Sequence, residues 1–520
     1  MPIRCRIRTG EYHDSVALML AARRLAQLPG VRDAAVVMAT AANKAILRQA
    51  GLLVPEIEAA GHDDLAVVVL ADNDASAAQA LEAAQECLVR VSEPAAARSA
   101  PRPRTVRNAV RAQPHSNLAV ISVAGQYAAG EAWEALKSGL HVLLFSDNVS
   151  LRDETELKKY ACAHDLLLMG PGCGTAIING VALGFANAVP RGPVGIVAAA
   201  GTGLQEVSTL LARLGVGVSQ AIGTGGRDLR EDVGGMTMLQ GLRALQADAQ
   251  TSVLLVVSKP PSPRIAQRVL DQVRDSVKPT VVCFLGAETA PIAVAGAIPA
   301  RTLEEAAYLA AGRAGASIGA LVERVIANEV TDLRGQGAVL RRHLGPGQKY
   351  LRGLFSGGTL AAEALWVWKD ARMDVHSNVP LEPHLKLTDP LRSAGHSAFD
   401  LGEEQFTVGR PHPMIDYDLR IRRLRQEAAD PEVGVIVLDV VLGYGAHPDP
   451  AAELGPVIKE ARAQAARRHR GLMVVASVTG TDTDPQNLGR QAKALREAGA
   501  IVCNCNAAAA RLAGFIVGMG

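Results

Sequence analysis

Aromatic residues make up only 3% of this 520-residue chain, so its cores must be built from Ala, Val, Leu and Ile, as α/β proteins allow. Charge of one sign is also missing. A net charge of +2 gives no electrostatic case for nucleic acid as a partner. No uninterrupted apolar run reaches the roughly 18–20 residues that a membrane span needs, and the opening "MPIRCRIRTGEYHD" holds no apolar signal segment. The seven cysteines are scattered, with no pair of CxxC units and no nearby His cluster to suggest zinc. Cys503 and Cys505 in "IVCNCN" share one strand face, which reads as packing. The expectation is a reduced, cytoplasmic protein with no metal. Two nucleotide signatures are absent as well. No Gly-Lys-Ser/Thr follows a glycine loop at Walker spacing, and "VAGQYAAGEAW" gives no GxGxxG after the strand at 118–123.

What is present is a long alternation of strand and helix patterns. At roughly 100–200 residues per domain, three or four domains are expected. Residues 1–92 read as an N-terminal α/β domain, with strands "IRCRIR", "AAVVMAT" and "LAVVVLAD" and two helical patterns. Asp14 or Ser15 suits a helix N-cap there, and His13 reads as an exposed first-turn residue. Residues 93–113, rich in Pro, Ala and Arg, read as a linker. Residues 114–190 give βαβαβ, hence parallel strands, followed by a glycine-rich loop "GPGCGTAIING". Residues 191–345 and 346–520 look like two copies of one architecture, each opening on a strand, a glycine turn and a helix.

Those two turns carry the functional reading. A helix begins with about four backbone N–H groups that its own carbonyls cannot satisfy, and its dipole adds partial positive charge there. Glycines remove Cβ atoms and let an anion reach the bare N–H groups. Gly201, Thr202 and Gly203 in "AAAGTGLQEV" have that design, as do Ser356, Gly357, Gly358 and Thr359 in "FSGGTLAAEA". The bland alternative is tight strand-to-helix packing.

"PGCGTAIING", "VGIVAAAGTGLQEVSTLLARLGVGVSQAIGTGG" and "KPTVVCFLGAETAP" resemble the α subunit of succinyl-CoA synthetase. The C-terminal run from "LFSGGTLAAEAL" to "LMVVASVTG" is similar to the C-terminal domain of its β subunit. The order of these pieces, with "GHSAFDLGEEQFTVGRPHPMID", resembles the FdrA family. The resemblance implies several Rossmann-like or flavodoxin-like parallel-sheet domains, with 114–190 as a CoA-binding-like domain and no ATP-grasp domain. It also implies that two helix N-termini, at Gly201–Gly203 and at Gly357–Thr359, point at one phosphoryl group.

The departures shape the activity expected. The stretch matching the synthetases' phosphohistidine loop, "APIAVAGAIPARTLEEA", has no histidine, and Lys259 in "VVSKPP" stands where they have a glutamate. Two helix ends and an ammonium group could hold phosphate or an acyl phosphate directly. Some relatives of FdrA are linked with oxamate carbamoyltransferase, which converts oxalurate and phosphate to oxamate and carbamoyl phosphate. The leading expectation is thus a transferase subunit of that kind, from purine (allantoin) breakdown, working in a complex with other chains and with scope for self-association.

Lys259, His396 and His412 are the catalytic candidates; either imidazole could move a proton or serve only a turn. Gly225, Gly226 and Arg227 in "GTGGRD", and Arg410 in "GRPHP", are candidate substrate-binding residues; a surface ion pair with Asp228 is the plain reading of Arg227. Cys173 reads as packing. Two alternatives stand beside the transferase. One is an acyl-CoA synthetase whose nucleotide site lies on another chain and whose phosphate carrier is His396. The other is a non-catalytic subunit that binds CoA or phosphate.

Overall fold

A computed structural model describes residues 2–11, 15–62, 64–89, 103–407 and 411–519. His13, Asp14 and Arg410, and residues 93–102 of the expected linker, lie outside the described residues. The chain divides into two units, Met1–Arg104 with Glu404–Pro411, and Thr105–Glu403 with His412–Gly520.

In the first unit β1 (Ile3–Arg8), β2 (Val31–Met38) and β3 (Leu65–Ala71) form a sheet in the order β1-β3-β2, with β3 antiparallel to both neighbours. This differs from the parallel sheets expected along the chain. Helical connections leave a strand's width between β1 and β2, and β3 fills it in the opposite direction. Both faces of β3 are covered. Leu65, Val67 and Val69 pack with Leu18, Ala21, Leu25 and Leu81 on one side, and Ala66 and Val68 with Leu47, Leu52 and Ile57 on the other. A near-continuous apolar run such as "LAVVVLA" is what two covered faces select.

The second unit opens with the helix Val106–Ala112, in the expected linker. Thr105 caps it by accepting from the Asn108 amide, and Arg107 pairs with Glu134 at 2.9 Å. Strands β4 (Leu118–Ile121), β5 (His141–Leu144) and β6 (Leu168–Met169) then form a small parallel sheet in that order.

Next come β7 (Thr175–Ile178), β8 (Val181–Gly184), β9 (Arg191–Ala199), β10 (Val218–Gly223), β11 (Val253–Ser258), β12 (Thr280–Phe284) and β13 (Ile298–Pro299). They form one sheet in the order β13-β12-β11-β9-β10-β7-β8. The stretch expected to be only a glycine loop supplies the β7–β8 hairpin. Its turn is Asn179-Gly180, both at positive φ (52° and 80°), as a two-residue hairpin loop requires.

A third sheet, entirely parallel, joins β14 (Tyr350–Phe355), β15 (Val375–Ser377), β16 (His396–Asp400), β17 (Val433–Val441), β18 (Met473–Thr479) and β19 (Ile501–Cys503) in the order β15-β16-β14-β17-β18-β19.

The second and third sheets share one logic. Each first parallel strand, β9 or β14, sits inside its sheet with later strands on both sides. The crevice outside the carboxyl end of such a strand is where open α/β sheets bind ligands. Each of these strands leads into a glycine turn and a 13-residue helix, Gly201–Arg213 or Gly358–Asp370. A single core holds the pair together: Leu204, Val207 and Leu211 of the first helix, Leu360, Ala364 and Trp368 of the second, and Leu512 and Ile516 of helix Asn506–Val517.

Candidate active site at two helix N-termini

The two helix tips touch. The Thr359 amide donates to Thr202 Oγ1 at 3.3 Å. A Cβ on Gly203 would meet Thr359 Cγ2 at 2.8 Å, and one on Gly357 would meet Thr202 Oγ1 at 2.8 Å, so only glycine lets the tips come this close. No side chain caps either helix. Gly201 is exposed and Gly358 partly so, while Thr202, Gly203, Ser356, Gly357 and Thr359 are buried. The junction therefore opens to solvent at its two outer glycines.

The tips differ beneath. The amides of Ser356 and Gly357 donate to the Asp439 carboxylate at 2.8 and 2.7 Å. Asp439 is buried on β17 and paired with the equally buried Arg420 at 2.8 Å. The second turn thus carries its own anion. At the first turn the amides of Gly201, Thr202 and Gly203 have no acceptor among the described residues.

Lys259 and Asp400 meet at the second tip. Lys259 follows β11 and Asp400 ends β16, both at the carboxyl edges of their sheets. A Cβ on Gly358 would run into Asp400 Oδ2 and lie 3.3 Å from Lys259 Nζ. Lys259 makes no hydrogen bond to protein and no ion pair within 4 Å among the described residues. Burial pushes the Asp400 carboxyl up to about 7; the Lys259 charge pulls it back, and Glu403 and Asp439 add to the rise. Asp400 therefore keeps its proton to a higher pH than an ordinary carboxyl.

His412 completes the cluster. A Cβ on Gly402 would lie 2.8 Å from His412 Nε2, 2.9 Å from the Ser356 carbonyl and 3.2 Å from Asp400 Oδ1. Burial, helped by the Arg420 charge, lowers His412 to about 4, so its ring is neutral. Nδ1 accepts from the Met414 amide at 3.3 Å, which leaves the ring proton on Nε2.

Other candidates are placed elsewhere. His396 begins β16 while Asp400 ends it; four residues of strand put about 13 Å between them. Its Nδ1 accepts from the Leu351 amide at 3.2 Å, and burial and Arg352 lower its pKa to about 4. Arg227 pairs with Glu154 at 2.8 Å and donates to the Val149 carbonyl, not to Asp228. Asp228 instead accepts from Lys158 at 2.6 Å and from the Thr237 and Met238 amides, fixing the next helix start. Gly225, at φ +87°, lies against the Pro171 carbonyl, whereas Gly226 is exposed beside Lys259 in one cleft. Burial drives the Cys173 thiol up to about 12, so it offers no thiolate.

Sequence reasoning missed Asp400 and Asp439. The strand of Asp439 is legible in "GVIVLDVVLG", whereas β16, which carries Asp400, falls in a stretch that reads as a loop with histidines. That Asp400 and Asp439 lie on the two neighbours of β14 follows only from strand order.

Comparison with known proteins agrees with this duplicated plan. The CoA-ligase family model matches residues 354–516, and the CoA-binding domain model matches 191–286, the β9–β12 region rather than the β4–β6 sheet. A third model, "AllF, heavy metal-associated domain", matches 1–103. Over 508 residues the chain is 45% identical to the uncharacterized protein YahF of Escherichia coli K12, covering 97% of this chain and 96% of that one. The chain belongs to the YahF family. It is also 25% identical over 182 residues to the α subunit of an ADP-forming succinate–CoA ligase of Staphylococcus epidermidis, covering 34% of this chain and 58% of the relative. A dinucleotide-forming acetyl-coenzyme A synthetase of Ca. Korarchaeum cryptofilum aligns over 77% of this chain and 82% of its own, at 15% identity and TM-score 0.32.

The match to a heavy metal-associated domain covers residues 1–103. Among the described residues no three His, Cys, Asp or Glu gather to hold an ion. Cys5, on β1, has its thiol pushed up by burial and by Glu56. Among the described residues no helix is long and apolar enough to cross a membrane.

Proposed function

We propose that the chain is a subunit of an enzyme that transfers a small acyl or carbamoyl group to or from phosphate, with the phosphate at the junction of the two helix tips. The observation that carries this reading is the free ammonium of Lys259, set beside the buried Asp400 carboxyl at the junction where the two helix tips meet. That arrangement suits a dianion that must be gripped and then stripped of a proton.

In the forward direction a phosphate oxygen attacks the acyl carbon. The bond from that carbon to the leaving nitrogen breaks, and the nitrogen takes the Asp400 proton. The hydrogen of the phosphate hydroxyl then restores Asp400, so charge and atoms balance. His412 offers its Nε2–H to the developing oxyanion, and the Gly201–Gly203 amides hold the phosphoryl oxygens. Oxalurate and phosphate, giving oxamate and carbamoyl phosphate, are the substrate pair to test first. The resemblance of "GHSAFDLGEEQFTVGRPHPMID" to FdrA supports that choice.

A second reading, an acid–CoA ligase whose nucleotide site lies on a partner chain, is favoured by the family matches and by the Staphylococcus relative, itself a ligase α subunit. There CoA would bring its thiol to the same acyl phosphate. The cleft beside Lys259 is about 320 Å³, too small to enclose a whole CoA but fit for one anionic group. His396 does not favour a covalent phosphate carrier: its Nδ1 is engaged and it lies at the far end of its strand. Incubation of the chain with oxamate and carbamoyl phosphate should release phosphate without forming acid-labile phosphohistidine. CoA-dependent consumption of ATP, with phosphate trapped on a histidine, would replace the transferase reading with the ligase.

A further inference from the structure

Beside the tip junction lies the cleft of about 320 Å³, bounded by Ala199, Gly226, Leu229, Ser258, Lys259 and Ser262 among others. Two of its polar atoms have no partner. Ser258, the last residue of β11, is 1% exposed, and its buried Oγ makes no hydrogen bond. Ser262 precedes the 12-residue helix Pro263–Arg274. Its buried Oγ is likewise unpaired and does not cap that helix. A buried hydroxyl without a partner is destabilising, so a native fold retains one for a reason.

The charges on the rim narrow the ligand. Arg230 pairs with Asp232 at 3.5 Å, and Glu231 with Arg264 at 2.6 Å. Lys259 is left without an ion pair among the described residues, with the buried Asp400 carboxyl as its acidic neighbour. Two donor hydroxyls, a free ammonium and the start of a helix present donors to an acceptor-only group. Leu229 and Pro260 supply a short apolar wall.

We infer that this cleft is a carboxylate subsite: Ser258 and Ser262 hold the carboxylate of a small acid or amide whose reacting end lies at the helix tips. Lys259 stands between the two and attracts both anions. The inference rests on the phosphate reading for its reacting end, but the subsite itself is separately testable. Ala199 joins the parts, since it ends β9 two residues before Gly201 and also lines the cleft.

The test is calorimetric titration of the full chain with oxamate, with succinate and, separately, with inorganic phosphate, for wild type, Ser258→Ala and Ser262→Ala. Loss of one hydrogen bond to a charged group should weaken carboxylate binding roughly tenfold or more. Phosphate affinity should not change. The thermal midpoint should stay or rise, because each alanine removes an unpaired buried hydroxyl. Carboxylate binding lost together with stability would mark the serines as structural and overturn the subsite. So would unaltered binding in both variants, or wild type that takes phosphate and no carboxylate. Serine-dependent carboxylate binding without phosphate binding would uphold the subsite while removing the phosphate reading.

Discussion

The two glycine turns look interchangeable in sequence and are opposite in structure. The Ser356–Gly358 turn closes on Asp439, whose charge Arg420 balances in a fully buried pair. The Gly201–Gly203 turn has no such occupant and reaches solvent at Gly201. One tip is a fixed wall and the other an open socket. A duplicated unit can divide its labour this way because a helix N-terminus is an anion site whether the anion is internal or borne by a substrate.

The largest effect that would sharpen this contrast is on rate. Asp400→Asn keeps the shape of the protonated carboxyl but cannot give up a proton. Turnover of the oxamate and carbamoyl phosphate pair should fall by roughly 10²–10⁴-fold. The same variant should change the pH dependence of stability. Because the folded pKa, about 7, lies above the ordinary carboxylate value, the native state binds the extra proton between about pH 4 and 7. Stability therefore falls as pH rises through that window. His412, held near 4, acts in the opposite sense: its contribution is lost as pH falls below about 6.5. Urea unfolding from pH 4 to 8 should show the Asp400 decline in wild type and not in Asp400→Asn.

Next in size is the cost of opening the closed tip. Asp439→Ala strands Arg420 without its counter-charge and leaves the Ser356 and Gly357 amides bare. It should destabilise the fold by about 3–5 kcal/mol in urea unfolding. An effect below 1 kcal/mol would mean that the two tips are alike after all. A smaller change tests how tightly Gly358 fits. A methyl group there is driven into the Asp400 carboxylate, so Gly358→Ala should cost about 1–3 kcal/mol, read as a drop in thermal midpoint. At Gly201 the nearest atom to a Cβ is Thr175 Oγ1 at 4.0 Å, so Gly201→Ala should be nearly neutral.

Much of this is legible in the sequence. The two strand–turn–helix units fall where the hydrophobic periods end on glycine, and Lys259 and His412 do reach the junction. The β7–β8 hairpin could have been read from Asn179-Gly180. Asp400 and Asp439 could not, since each is one acidic residue within an apolar strand until strand order sets them either side of β14. His396 shows the converse. A histidine in a well-marked motif can lie at the amino end of its strand, away from the carboxyl edge where the tips meet.

The most direct measurement of the central claim is phosphate titration of three proteins: wild type, Lys259→Ala and Gly201→Pro. Proline suits the first position of a helix and deletes one N–H from the open tip. Wild type should bind one phosphate per chain. Each variant should bind it roughly 10–100-fold more weakly with its unfolding midpoint unchanged, as expected for losing a charge-assisted contact. Phosphate that binds all three equally, or does not saturate wild type, would contradict the account.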